Sequence, residues 1–287
     1  MKFKNFIIAT AVLAALLAMP LWRLIEFAAG DDLFSYILLI PFVSGYLVWL
    51  DRKQLPPAGP PAWEAAALFF MAGLGGLAWS WWWPPVLAVD ALALTTLALV
   101  FFLAAVAGIF LGGRLMAALA FPLALLIFLV PFPQALRDGI EVFLQHGSAE
   151  VADWMFQISG MTFLRDGLLF RLPSITLQVA PECSGIHSTV VLFITSLVAG
   201  RMLLRQNWKR AALTLFVLPL ALARNAFRIF VLGELCVHIG PHMIDSPIHH
   251  HGGPLFFALS LAPFFALLYV LKKSELRQES RARTIKK

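Results

Sequence analysis

The sequence predicts an all-α polytopic membrane protein with about eight transmembrane helices. Of its 287 residues, 60% are hydrophobic and only 13% are charged, whereas soluble domains carry about 25% charged residues. A soluble chain of this size would lack the charge needed to cover its surface. The composition therefore excludes an ordinary cytoplasmic enzyme, a disordered protein and a basic nucleic-acid binder. Two cysteines are too few for a disulfide framework.

Eight apolar segments are long enough to cross a membrane, because a helix needs about 20 mostly apolar residues to span the hydrocarbon layer. The first segment could also be a secretory signal, since Lys2 and Lys4 precede it, but no small-residue cleavage site lies before the second. We therefore count it as a membrane helix. The predicted spans are 5–22, 33–50, 63–83, 87–112, 115–132, 185–203, 211–231 and 254–271.

The positive charges predict the orientation of these spans. Eight spans place both termini on one side, and if that side is the cytoplasm, all but six of the 22 Lys and Arg residues lie there. This distribution agrees with the positive-inside rule. We expect residues 1–287 to form one integral membrane domain that ends in a solvated basic cytoplasmic tail, residues 272–287.

One sizeable insertion, residues 133–182, separates spans five and six and is expected on the outer face. Residues 136–158 mix apolar and polar positions at helical spacing, with a break around Gly147. They predict an amphipathic helix along the membrane surface. The turn signal at 165–167 and the alternation at 175–179 predict a small β-hairpin that leads into span six.

Two groups of polar residues lie at the predicted outer ends of spans six and seven. Cys183 precedes span six, where a helix N-terminus favours a thiolate; the alternative is a small buried hydrophobe. Arg224 and Arg228 lie four residues apart and share one helix face with Asn225 nearby. Arginine inside a membrane costs about 2.5–3.5 kcal/mol, which favours a functional role over snorkelling to lipid headgroups.

A third group is rich in histidine and precedes span eight. A metal site is one interpretation, because imidazole is the commonest metal ligand, but glycine and proline within the group favour a loop without fixed ligand geometry. We favour a proton-transfer role for one histidine. A disulfide between Cys183 and Cys236 is a further alternative, and His146 and His187 are weaker candidates. The group contains His238, His242, His249, His250 and His251, with Asp245 nearby.

A cysteine, an arginine and a histidine at one membrane face can together perform acyl transfer or hydrolysis. The thiolate is the nucleophile, a cation stabilises the negative charge that develops, and a histidine donates a proton to the leaving amine. The substrate would enter from the membrane.

The same residues resemble the exosortase/archaeosortase family of multispanning membrane cysteine transpeptidases. PECSGIHS at 181–188 is similar to the family's Cys-Ser-Gly block, and 225–229 to its N-x-x-R-[IV] block. Residues 249–253 with Phe257 fit its H-x-x-x-G-x-x-x-F block. YILLIPFVSGYLVWLDRK and LAFPLALLIFLVPFP are similar to earlier family segments, so the resemblance covers most of the chain.

The resemblance implies a role for each residue. Cys183 would form an acyl-thioester, and Arg228 would act on the oxyanion or the leaving group. Arg224 lies off the motif but one turn away, so it is a candidate for a second cation. His249 is the leading histidine because it alone stands four residues before Gly253, although His250 and His251 remain open. The family often carries Arg where this chain has His187. No cofactor and no metal are expected.

The resemblance also implies the substrates and the location. The partners would be exported proteins that end in a Pro-Glu-Pro-like motif, a transmembrane helix and a basic tail, a signal of the PEP-CTERM type. The protein would lie in a bacterial inner (plasma) membrane, with its active site at the periplasmic face and an association with exopolysaccharide. Two alternatives remain: a membrane transporter or metal-handling protein that uses the histidine loop, and a non-catalytic scaffold for polysaccharide secretion.

Overall fold

The computed structural model describes residues 2–180, 184–246 and 252–285. In these residues, six helices are long and apolar enough to cross a membrane, or up to eight if each of two bent helix pairs is one span. The only sheet within the described residues has three short strands. The structure therefore confirms an all-α polytopic membrane protein. Its packing divides the chain into two compact units, Met1–Arg137 and Asp138–Lys287.

The first predicted span, 5–22, is not one straight helix. The chain forms α1 (Lys2–Leu16) and α2 (Ala18–Gly30), which meet at a bend of 76°. The cause is Pro20, because a proline lacks the N–H of a helical residue and its ring clashes with the carbonyl four residues earlier. That carbonyl belongs to Leu16, where α1 ends.

The second to fourth predicted spans are helical. The second consists of a 3₁₀ segment (Asp32–Leu39) followed by α3 (Ile40–Asp51). The third and fourth are α4 (Trp63–Trp82) and α5 (Ala88–Leu111), which pack closely on each other.

The fifth predicted span, 115–132, is also broken. It forms α6 (Gly113–Ala118), α7 (Ala120–Leu125) and a 3₁₀ turn (Leu126–Leu129). The reason is the same, since Pro122 lies four residues after Ala118, the last residue of α6. The Ser44 hydroxyl donates a hydrogen bond of 2.8 Å to the Pro122 carbonyl. The next helix along the chain is α8 (Gln134–Ser159).

The expected amphipathic helix is present as α8, but it runs without a break through Gly147. A Cβ atom on Gly147 would lie 2.8 Å from Cδ2 of Leu222. Gly147 therefore creates room for a neighbouring helix, and the predicted interruption there was wrong.

The sheet extends the predicted hairpin by one strand. Strands β1 (Leu164–Asp166), β2 (Leu169–Arg171) and β3 (Thr176–Gln178) are antiparallel in the order β1-β2-β3. Gly167 provides the predicted turn, with φ of +60°. The sheet shares an apolar core with α8 and with a later helix, α10 (Asn207–His238). Phe156 and Phe170 are fully buried in this core.

The Arg165 side chain links the sheet to α8 through a hydrogen-bonded ion pair with Glu150. Its Nη2 lies 2.6 Å from a Glu150 carboxylate oxygen, and its Nε donates to the Gly167 carbonyl at 3.0 Å. The hydrogen bond to Glu150 raises the pKa of the Arg165 guanidinium. The described part of the insertion, 133–180, is therefore an ordered helix and sheet.

The last three predicted spans are α9 (Ile186–Leu203), α10 (Asn207–His238) and α11 (Gly253–Ile285). Helix α11 has 33 residues and continues through most of the predicted tail, 272–287. Glu275 is only 3% exposed and its carboxylate accepts hydrogen bonds from the N–H groups of Arg205 and Gln206. The expectation that the whole tail is solvated was therefore wrong at its start.

Candidate functional site

The predicted site residues fall into two sets. Arg224 and Arg228 lie on α10 and are described by the structure. Cys183 lies within 181–183, and His249, His250 and His251 lie within 247–251, so these four are outside the described residues. The structure does describe both flanks of the cysteine segment, which end at Ala180 and resume at Ser184.

Arg224 turns into the protein rather than toward lipid. The residue is only 8% exposed. Nη2 donates to the Gly185 carbonyl at 3.1 Å and to the Thr189 hydroxyl at 3.3 Å. Nη1 is buried and has no hydrogen-bond partner among the described residues. Snorkelling to headgroups is therefore excluded for Arg224.

Gly185 is the N-cap residue just before α9, and its backbone conformation favours glycine. It has φ of +69°, a left-handed conformation that side chains with a Cβ rarely adopt. A Cβ there would lie 2.7 Å from Nη2 of Arg224. The Gly185 carbonyl also accepts hydrogen bonds from the hydroxyls of Ser188 (3.1 Å) and Thr189 (2.8 Å). The start of α9 is thus fixed by several donors.

Arg228 lies one turn further along α10 and is half-buried. The spacing of four residues places it on the same helix face as Arg224. Between them, Asn225 is 3% exposed and donates from Nδ2 to the hydroxyl of Ser148 at 3.1 Å. This face of α10 therefore points into a packed polar region.

Sequence reasoning did not identify two residues of this region, Gln145 and Ser148 on α8. Gln145 is 6% exposed and donates from Nε2 to the Val179 carbonyl at 3.0 Å, and Ser148 is fully buried. The sequence pattern that could have identified them is a pair of uncharged polar residues three positions apart. They share a helix face with the buried Ala149 and Ala152.

The described histidines do not form a metal site. His238 contacts the Glu234 carboxylate of its own helix at 3.1 Å. Within the described ranges, no group of three His, Cys, Asp or Glu residues could hold a metal ion. His146 and His187 are exposed.

Cys236 is a fully buried free thiol. Cys183, the other half of the pairing raised as an alternative, lies outside the described residues. The backbone carbonyl of Cys236 accepts a hydrogen bond of 3.0 Å from the Ser174 hydroxyl.

Comparison with known proteins gives one finding. A family model described as transmembrane exosortase matches residues 21–266 of the 287-residue chain. A search of curated proteins and a search of solved structures each returned no match.

Proposed function

Because this chain belongs to the transmembrane exosortase family, we propose that it is a membrane-embedded cysteine peptidase or transpeptidase for exported proteins. Its substrates would carry a C-terminal sorting signal made of a Pro-Glu-Pro-like motif, a transmembrane helix and a basic tail. The enzyme would cut the signal and transfer the protein to an acceptor.

One observation carries the proposal for Cys183. The hydrogen bond from Arg224 to the Gly185 carbonyl joins the residue two positions after Cys183 to the face of α10 that carries Arg228. A nucleophile for acyl transfer needs a cation close enough to stabilise the oxyanion. The contact supports Cys183 and Arg228 as neighbours in one site.

The proposed reaction has two steps. The Cys183 thiolate attacks the scissile carbonyl, Arg228 stabilises the oxyanion, and the leaving amine takes a proton from His249 as the peptide bond breaks. The product is an acyl-thioester on Cys183. An acceptor nucleophile then loses its proton to His249 and attacks the thioester, which breaks the C–S bond and restores the Cys183 thiolate. His250 and His251 are the alternatives to His249 at this position.

The proposed location is a bacterial inner membrane with both termini in the cytoplasm. The basic tail of the substrate would then lie on the side where the positive-inside rule places it. Its sorting motif would lie at the outer face, where the motifs around Cys183 and His249 are expected. Site and substrate motif would therefore meet at the same membrane depth.

The decisive experiment compares the two cysteines of the chain. Cys183→Ala and Cys236→Ala variants are each co-expressed with an exported protein that carries the three-part signal. We expect Cys183→Ala to leave the full-length precursor, whereas Cys236→Ala still yields the shorter product. Unchanged processing in Cys183→Ala would refute the proposal for a cysteine nucleophile.

A second experiment tests the covalent intermediate and the histidine. Mass spectrometry of the purified enzyme mixed with substrate should find an acyl group on Cys183 that hydroxylamine removes. His249→Gln should abolish processing, while His146→Gln serves as the control, because His146 is exposed and lies outside the three family motifs. Processing that survives Cys183→Ala but is lost on replacement of the histidines would instead favour a metal-dependent protein.

A further inference from the structure

Two buried side chains hold the backbone on either side of the segment that contains Cys183. On one side, Gln145 of α8 donates to the Val179 carbonyl at 3.0 Å. On the other side, Arg224 of α10 donates to the Gly185 carbonyl at 3.1 Å. We propose that Gln145 and Arg224 are positioning residues that fix the two flanks of this segment, at Val179 and Gly185, and that the attack of Cys183 on the substrate depends on both flanks being fixed. This inference rests on the proposed role of Cys183 as the nucleophile.

Each contact point is itself well fixed. Val179 follows β3, and its N–H donates to the Leu168 carbonyl at 3.0 Å. Gly185 is the N-cap of α9, and its carbonyl accepts hydrogen bonds from the first turn of that helix, including one from the Thr189 N–H at 3.0 Å. Both donors, Gln145 and Arg224, belong to helices and are almost fully buried. The backbone is therefore fixed four residues before Cys183 and two residues after it.

Gln145 and Arg224 are held relative to each other, because a hydrogen bond joins α8 and α10 beside them. Asn225, the neighbour of Arg224, donates to the hydroxyl of Ser148 at 3.1 Å. Ser148 lies three residues after Gln145, on the same face of α8. A shift of either helix would therefore move both flanks of the cysteine segment together.

The contacts of Arg224 distinguish its role from that of Arg228. Nη2 of Arg224 is occupied by the backbone of Gly185 and by Thr189, so the main contribution of this side chain is to position the chain. Arg228 lies one turn away and remains the cation assigned to the oxyanion. A misplacement of 1 Å in an active site can lower the rate about 100-fold, so loss of a positioning contact should lower kcat.

The first test replaces Gln145 by methionine, which has a similar shape but no amide donor. The matched control is Gln157→Met on the same helix, because Gln157 is exposed and its amide contacts the Asp153 carboxylate of the same helix, at 2.6 Å. The purified enzyme is reconstituted in lipid vesicles with an exported protein that carries the three-part signal. We expect kcat to fall at least about tenfold in Gln145→Met, with KM within about threefold of the control.

The second test compares two arginines of α10. Arg210 donates to the Leu204 carbonyl at 2.7 and 2.9 Å, so it contacts the opposite end of α9 from Arg224. Arg210→Gln should lower the melting temperature without lowering kcat, whereas Arg224→Gln should lower kcat at least about tenfold. A purely structural role for Arg224 predicts the same behaviour for both variants.

The outcomes separate this inference from the proposed function. If Cys183→Ala is inactive while Gln145→Met keeps its kcat within about twofold of Gln157→Met, the positioning role is refuted and the nucleophile stands. If Cys183→Ala remains active, both the proposed nucleophile and the positioning role are refuted. If Gln145→Met does not fold, Gln145→Asn is used in its place, because the shorter amide cannot reach the Val179 carbonyl. The same limits on kcat and KM apply to this variant. A fall in kcat that is matched by an equal rise in KM would also overturn the positioning role.

Discussion

The contact between Glu275 and the start of α10 can be tested through stability. Glu275→Ala removes a carboxylate that is 3% exposed and accepts hydrogen bonds from two backbone N–H groups. Arg205 N lies 3.1 Å from both carboxylate oxygens, and Gln206 N lies 2.9 Å from one of them. We expect a clear loss of stability, because N–H groups at the start of a helix have no acceptor within that helix.

The magnitude follows from the two donors. Arg205 is exposed and Gln206 is half-buried, so water can take the place of the lost acceptor, and each hydrogen bond contributes about 1 kcal/mol. The pair therefore contributes about 2 kcal/mol. The carboxylate also lies at the N-terminus of α10, where a negative charge contributes about 0.3–1 kcal/mol more. Glu275→Gln keeps one acceptor oxygen and should cost about half as much as Glu275→Ala.

The assay is thermal unfolding of the detergent-solubilised protein, followed by tryptophan fluorescence. At about 2–4 °C per kcal/mol for large domains, Glu275→Ala should melt about 7 °C below the wild type. The control is Glu64→Ala, an exposed glutamate in the first turn of α4, which should change stability by about 0.5 kcal/mol or less. Equal melting temperatures for Glu275→Ala and Glu64→Ala would refute the reasoning.

Two further changes test the packing that surrounds the site. Gly233→Ala should destabilise by about 1–3 kcal/mol, because its Cβ would lie 2.7 Å from Cζ of the buried Phe156; Gly139→Ala in α8, with nothing within 4 Å, should be neutral or stabilising in the same melt. Arg165→Gln should loosen the sheet on α8, since it loses the bond to Glu150 at 2.6 Å. Limited proteolysis would then cut near 160–175 faster than in the wild type, and an unchanged cleavage pattern would contradict that role for Arg165.

Proline explains where the predicted spans differ from the structure. Hydropathy locates the apolar segments 5–22 and 115–132 correctly but carries no information on straightness. Pro20 and Pro122 each end a helix four residues earlier, at Leu16 and Ala118. Both breaks were readable from the sequence, because the rule that a proline excludes the carbonyl four residues before it is local.

The candidate site contains residues that the sequence alone identifies and residues that only the folded structure identifies. The cost of an arginine in a membrane helix singles out Arg224 and Arg228 from the sequence alone. Gln145 could not be found in this way, because an uncharged polar residue on an amphipathic helix is common. Its importance depends on Val179, 34 residues away in the chain. Such a contact exists only after the sheet has packed on α8.

The sequence by itself determined the membrane class, the approximate positions of the spans, and the motifs that relate the chain to the exosortase family. These features depend on composition and on short-range spacing, which each segment has before the chain folds. Only the tertiary structure decided that Arg224 binds the Gly185 carbonyl, that Gln145 binds Val179, and that Glu275 is buried against the start of α10. Each of those contacts depends on which polar groups packing brings together, and buried donors and acceptors must be paired in the folded chain.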